Sequence, residues 1–110
     1  MKIILTTQEP DIKSPVDPRF GRAKYFLTVD PATMEWQAHP NPAIHQAHGA
    51  GIAAAQWVND QNAQVLISGD FGPNAVRALQ ATAIELYLFD SAKTAEEVIQ
   101  QYQENKLRRF

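Results

Sequence analysis

All five glycines of this 110-residue sequence fall in three short stretches, each of which also carries an ionisable side chain. The first stretch is Asp17-Pro18-Arg19-Phe20-Gly21-Arg22. Two guanidiniums, permanently charged and with donors in a fixed fork, stand beside a glycine that lets the backbone come close; together they suit the gripping of an anion. The same residues also suit a plain turn in which Asp17 pairs with Arg19 or Arg22 and Phe20 tucks into the core. The second stretch, His45-Gln46-Ala47-His48-Gly49-Ala50-Gly51, lies where a helix is predicted to start. Free amide N–H groups and the helix dipole favour an anion there, and His45 and His48 are candidate metal ligands. The third, Ser68-Gly69-Asp70-Phe71-Gly72-Pro73-Asn74, reads as a strand end, a turn and a helix start, again with amides suited to an anion. Its plainer reading makes Asp70 or Gly72 a turn or cap residue ahead of a proline-initiated helix.

Better-defined catalytic motifs are absent. The sequence has no Gly-x-x-x-x-Gly-Lys-Ser/Thr loop, no Gly-x-Ser-x-Gly elbow and no His-Glu-x-x-His pair. Asp11, Asp17, Asp30, Asp70 and Asp90 fall near predicted strand ends and leave open a carboxylate cluster for metal-dependent, nuclease-like chemistry. Asp30 and Asp90 read more simply as turn and cap residues. The histidines His39, His45 and His48 lack the matching ligand set of a zinc site. No catalytic residue is assigned, and a binding protein rather than an enzyme is expected.

The elements that must position these stretches follow from periodicity and punctuation. Lys2 to Thr7 reads as a buried strand in mid-sheet, and Gln8 to Arg22, with Pro10, Pro15 and Pro18, as a long loop. Lys24 to Asp30 and Met34 to His39 form a predicted hairpin around Pro31-Ala32-Thr33, its second arm a sheet edge ended by Pro40-Asn41-Pro42. An alanine-rich helix is predicted from Gly49 to Asn59, an inner strand over Val65 to Ser68, and a helix with Val76, Leu79 and Ala83 on one face. Ile84 to Phe89 alternates as a strand. Thr94 and Glu97 make a capping-box pair ahead of a helix whose Ala95, Val98, Ile99 and Tyr102 share one face. This order implies an α/β domain spanning residues 1–110, with right-handed crossovers, a mixed sheet and helices on its faces. Ligands in such sheets sit beyond the carboxyl ends of the strands, where the three glycine-bearing stretches would converge.

Composition narrows the function classes. A formal net charge of −2 gives no broad cationic field for nucleic acid or anionic membrane, and Lys106-Leu107-Arg108-Arg109 is too short to reverse that. The chain has no cysteine, so any metal must use His, carboxylate or backbone, or bring its own ligands. No segment approaches the roughly 20 apolar residues of a membrane span, and Met1 to Leu5 is too short for a signal sequence, so a cytoplasmic location is expected.

Three ordered segments, Asp17 to Phe26, then Asn41-Pro42 with His48-Gly49-Ala50-Gly51, then Ser68 to Ala75, resemble the dinitrogenase iron-molybdenum cofactor biosynthesis family of NifX-like proteins. The resemblance implies a three-layer ribonuclease H-like fold with a five-stranded mixed sheet. It also implies a role in holding an iron-molybdenum-sulfur or iron-sulfur cluster, or its precursor, for transfer to assembly or acceptor proteins. Nitrogenase-associated members often carry a histidine, taken as a cofactor contact, where this chain has Arg19, so the sequence looks more like the stand-alone members. On this reading Asp17, Arg19, Phe20, Gly21, Arg22, Asn41, His48, Gly49, Gly51, Gly69, Asp70 and Gly72 form the cofactor site, with His48 and His45 as candidate metal ligands. The alternative is a regulatory or assembly module that meets a protein partner through the hairpin around Trp36 or the terminal Phe110.

Overall fold

A computed structural model describes residues 1–90 and 93–110. Its strands are β1 (Ile3–Thr7), β2 (Tyr25–Val29), β3 (Trp36–Pro40), β4 (Val65–Ser68), β5 (Glu85–Leu88) and β6 (Arg108–Arg109); its helices are α1 (Ala50–Asp60), α2 (Pro73–Leu79) and α3 (Ala95–Gln103). The strands form one sheet in the order β3-β2-β1-β4-β5-β6. β1, β4 and β5 run parallel, while β2, β3 and β6 join antiparallel at the flanks.

Alternation along the strands divides the apolar side chains between two faces. Ile4, Phe26, Leu66 and Leu86 meet Ala54, Ala55 and Val58 of α1 and Ala75 and Leu79 of α2. Ile3, Leu5, Leu27, Val65 and Ile67 meet Val98 and Ile99 of α3, together with Ile12 and Val16 from the first loop. The result is the expected three-layer α/β arrangement of the ribonuclease H-like class, with β1 in mid-sheet.

The sheet has six strands rather than the five implied by family resemblance. The extra strand is the two-residue β6, too short and too charged to carry a sequence signature. It is held by Arg108 to Asp90 at 3.3 Å, Arg109 to Glu85 at 3.7 Å, and Arg109 above the Tyr87 ring at 5.5 Å. Lys106 likewise meets Glu104 at 3.2 Å. The basic residues Lys106, Arg108 and Arg109 are thus each paired with a carboxylate.

Other boundaries also moved. β3 begins at Trp36, because Met34 adopts φ 61° in a turn closed by its amide to the Asp30 carbonyl at 2.7 Å. Pro40 is the last residue of β3 rather than its terminator, which an edge strand tolerates because that position has no ladder donor to lose. α2 ends at Leu79, so Ala83 lies outside the helix and is exposed.

The loop from Gln8 to Arg22 has no strand or helix of its own yet is well anchored. Ile12, Val16 and Phe20 are buried, and the Ile12 and Ser14 carbonyls accept from Glu96 and Ala95 at 2.9 Å, satisfying two orphan donors at the start of α3. The capping box is present, with the Glu97 amide donating to Thr94 Oγ1 at 3.3 Å and the Thr94 amide donating to Glu97 Oε1 at 3.4 Å. Thr94→Ala should lower stability by about 1 kcal/mol, read as a shift of the urea midpoint with unchanged slope.

Candidate functional site

The carboxyl ends of β1 and β4 carry the first and third glycine-bearing stretches, and backbone contact binds these two loops together. Arg19 and Asp70 form an isolated parallel bridge. A Cβ on Gly69 would lie 2.6 Å from the Pro18 Cα, so only glycine lets the two chains pass. Beneath this crossing the buried Thr6 Oγ1 donates to the Asp17 carbonyl at 2.6 Å and lies 3.0 Å from Ser68 Oγ.

Asp17 is itself buried, and its carboxylate is turned back onto its own loop. Oδ1 accepts from the Arg19 amide at 3.0 Å and from Arg19 Nε at 3.2 Å, and Oδ2 accepts from Arg19 Nη2 at 3.2 Å. The hydrogen bond to Asp17, then its charge, raises the Arg19 guanidinium above its ordinary value. Phe20 is 3% exposed and packs between Phe26 and Phe71, with ring centroids at 5.7 and 5.5 Å. Of the two readings open in the sequence, the Asp17–Arg19 turn with a core Phe20 describes this part of the loop.

Gly21 and Arg22 take a different course. A Cβ on Gly21 would sit 3.0 Å from the backbone of Gly51, and one on Gly51 would sit 3.4 Å from the Ala75 Cβ, so the first loop, α1 and α2 meet almost main chain to main chain. The buried Asn41 braces the junction. Its Nδ2 donates to the Gly21 and Ala23 carbonyls at 3.1 and 2.8 Å, and its Oδ1 accepts from the Ala43 amide at 2.9 Å. Gly49, at φ 73°, turns the chain into α1.

These close approaches frame an open recess of about 310 Å³ lined by residues 20–22, 49–52 and 72–75. That volume is at the low end for small-ligand sites. α1 and α2 both begin at this recess, from Gly49 and Gly72, and neither start has a side-chain cap or an acidic residue in its first turn. The first amides of a helix have no partner within it, so those of Ala50, Gly51 and Ile52 are left as donors at the recess. Arg22 lines the recess and no carboxylate does.

The twelve expected site residues are thus divided. Phe20, Gly21, Arg22, Gly49, Gly51 and Gly72 line the recess; Asp17, Arg19, Asn41, His48, Gly69 and Asp70 do not. Asp17, Asn41 and Gly69 instead hold the loops, and Asp70 accepts from the Phe71 amide at 2.8 Å. His45 and His48 are exposed on the segment leading to Gly49, and among the described residues no three His, Asp or Glu side chains are placed to hold a metal ion. Ala50, Ile52, Asn74 and Ala75 also line the recess but are not site residues by type; their place at two helix starts was the available signal.

A second hollow, about 420 Å³, opens at the opposite end of the sheet beside the hairpin, among Lys2, Asp30, Glu35, Trp36 and His39. Although larger, it places two carboxylates beside its one lysine and gathers none of the glycine-bearing loops. His39 there is held below its ordinary value, first by burial and then by the charge of Lys2.

Comparison with known proteins agrees with this architecture. An uncharacterised protein of Methanocaldococcus jannaschii, MJ0580, is 26% identical over all of this chain and 99% of its own length. The apo form of the orange protein from Desulfovibrio gigas superposes with a TM-score of 0.93 at 36% identity, over 99% of this chain and 92% of that one. The Thermotoga protein TM1290, described as a candidate NifB protein, superposes with a TM-score of 0.84 at 29% identity, over 98% and 91% of the two chains. The model of the family described as dinitrogenase iron-molybdenum cofactor matches residues 1–105. Sharing that family's pattern over nearly its whole length, the chain belongs to the dinitrogenase iron-molybdenum cofactor family.

Proposed function

We propose that the protein is a non-catalytic carrier that holds an anionic metal-sulfur cluster, of the iron-molybdenum cofactor type or a precursor, in the recess between the first loop and the starts of α1 and α2. The observation that carries this reading is the pairing of the uncapped start of α1 with Arg22 around a recess lined by no carboxylate. A helix start is worth about half a positive charge, and a guanidinium adds a full one.

The donor set fits a cluster that arrives with its own sulfide ligands. A chain without cysteine offers no thiolate, so the cluster would be cargo held by N–H donors and charge rather than by bonds to protein sulfur. Family membership supports the cofactor class. The orange protein, whose structure is that of an apo form, supports a fold that takes up a separable group.

Anaerobic titration with a synthetic iron-molybdenum-sulfur cluster, followed by visible absorbance and backbone amide shifts, tests the reading. Saturable binding with shifts at Arg22, Gly49 to Ile52, Gly72, Asn74 and Ala75 is expected. Arg19→Ala should leave affinity within about twofold, because Arg19 does not line the recess, its solvent-exposed charge is screened and Asp17 already engages its guanidinium. Absent or scattered responses would move the reading to a protein-interaction module, for which the edge strand β3 and the 37% exposed Trp36 supply a surface.

A further inference from the structure

Arg22 stands between two partners. It is among the residues lining the recess, and its Nη1 donates to the Gln46 carbonyl at 2.6 Å. Gln46 belongs to the segment running from the Asn41 brace to Gly49, and its own amide closes a local turn onto the Ala43 carbonyl at 3.1 Å. From Gln46 to His48 every residue is exposed, and among the described residues the hydrogen bonds that hold this stretch are the Gln46 amide to Ala43 and the Arg22 guanidinium to the Gln46 carbonyl. The segment ends at Gly49, whose positive φ is open to glycine at little cost and whose absent Cβ has free space around it. One guanidinium thus tethers a strap that carries His48 and leads into the floor of the recess.

Resting on the carrier reading, we propose that Arg22 is a latch whose position reports cargo. An anionic cluster offers the guanidinium a charge-assisted partner, stronger than the neutral carbonyl of Gln46, and draws it into the recess. The strap from Gln46 to His48 then loses its tether and becomes mobile about Gly49. Empty protein presents a fixed strap and loaded protein a free one, so an acceptor can distinguish them from outside the recess.

Tetrathiomolybdate, a diamagnetic metal-sulfide dianion that leaves nearby resonances sharp, is the probe. In wild-type protein it should shift the amides of Ala50 to Ile52 saturably and at the same time lower the backbone ¹⁵N heteronuclear NOE of Ala47 and His48. Arg22→Ala should show the lowered NOE without any anion and bind the probe about tenfold more weakly, the loss of one charge-assisted hydrogen bond. Saturable shifts with an unchanged strap NOE would overturn the latch and leave the carrier reading standing. An Arg22→Ala strap as rigid as wild type would also overturn it, without reference to cargo. Absence of saturable shifts in wild-type protein would overturn the carrier reading and the latch with it. Because Arg22 is exposed and outside the core, the variant keeps its fold, checked by an unchanged spectrum away from the strap.

Discussion

Gly69→Ala should lower stability by about 3 kcal/mol, at the upper end of the cost of overpacking, and should move the urea midpoint well outside the range of surface substitutions. The added Cβ would meet the Cα, Cβ and carbonyl oxygen of Pro18 at 2.6, 2.8 and 2.9 Å. Neither side can retreat cheaply. Gly69 follows β4 directly, and Pro18 follows Asp17, whose amide donates to the Thr6 carbonyl at 2.9 Å and whose carbonyl accepts from Thr6 Oγ1. Gly72→Ala is the matched control. It has ordinary negative φ, and a Cβ there would meet nothing within 4 Å, so the only cost is that of alanine at the N-cap of α2, and the substitution should change stability by less than about 1 kcal/mol. Equal effects at the two glycines would show that the loop crossing yields, and that its geometry does not constrain the site.

Arg22→Glu should weaken binding of the synthetic cluster by about a hundredfold or more while leaving the urea midpoint within about 0.5 kcal/mol of wild type. The substitution removes the one cation lining the recess and puts a carboxylate in its place. Each of these changes, at a partly shielded site, costs on the order of 1.4 kcal/mol, a factor of ten. Raised salt should shrink the difference, since the residue is exposed and its field is screened. Arg19→Glu makes a useful comparison. Its main effect should be on stability, because it places a second carboxylate beside the buried Asp17. A large binding loss there and none at Arg22 would relocate the site to the Asp17 end of the loop.

How much of this was legible in sequence depended on whether the signal was local. The capping box, the alternation in Ile84 to Phe89 and the continuous apolar runs of β1 and β4 are local patterns, and they identified their elements. The convergence of three glycine-bearing stretches followed from strand order alone. The division of labour within them did not, because Arg19 and Arg22 are alike in composition. What separates them is that Asp17 is drawn inward by Thr6 and so captures the nearer guanidinium, a tertiary fact. β6 escaped notice for the converse reason. Two arginines become a strand only because Asp90, Glu85 and Tyr87 are already arranged to receive them.

The near-contact of Gly21, Gly51 and Ala75 has a bearing on descent. Where a wall is made of main chain, the donors it presents are the same whichever side chains point away from it. Side chains around such a wall can change without changing the donors it presents, and the fold itself persists at 36% and 29% identity in the Desulfovibrio and Thermotoga structures. What such change can alter is the rim. Arg22 is a side-chain feature set on a cup of main chain, so a substitution there changes the charge of the rim and leaves the backbone wall as it is.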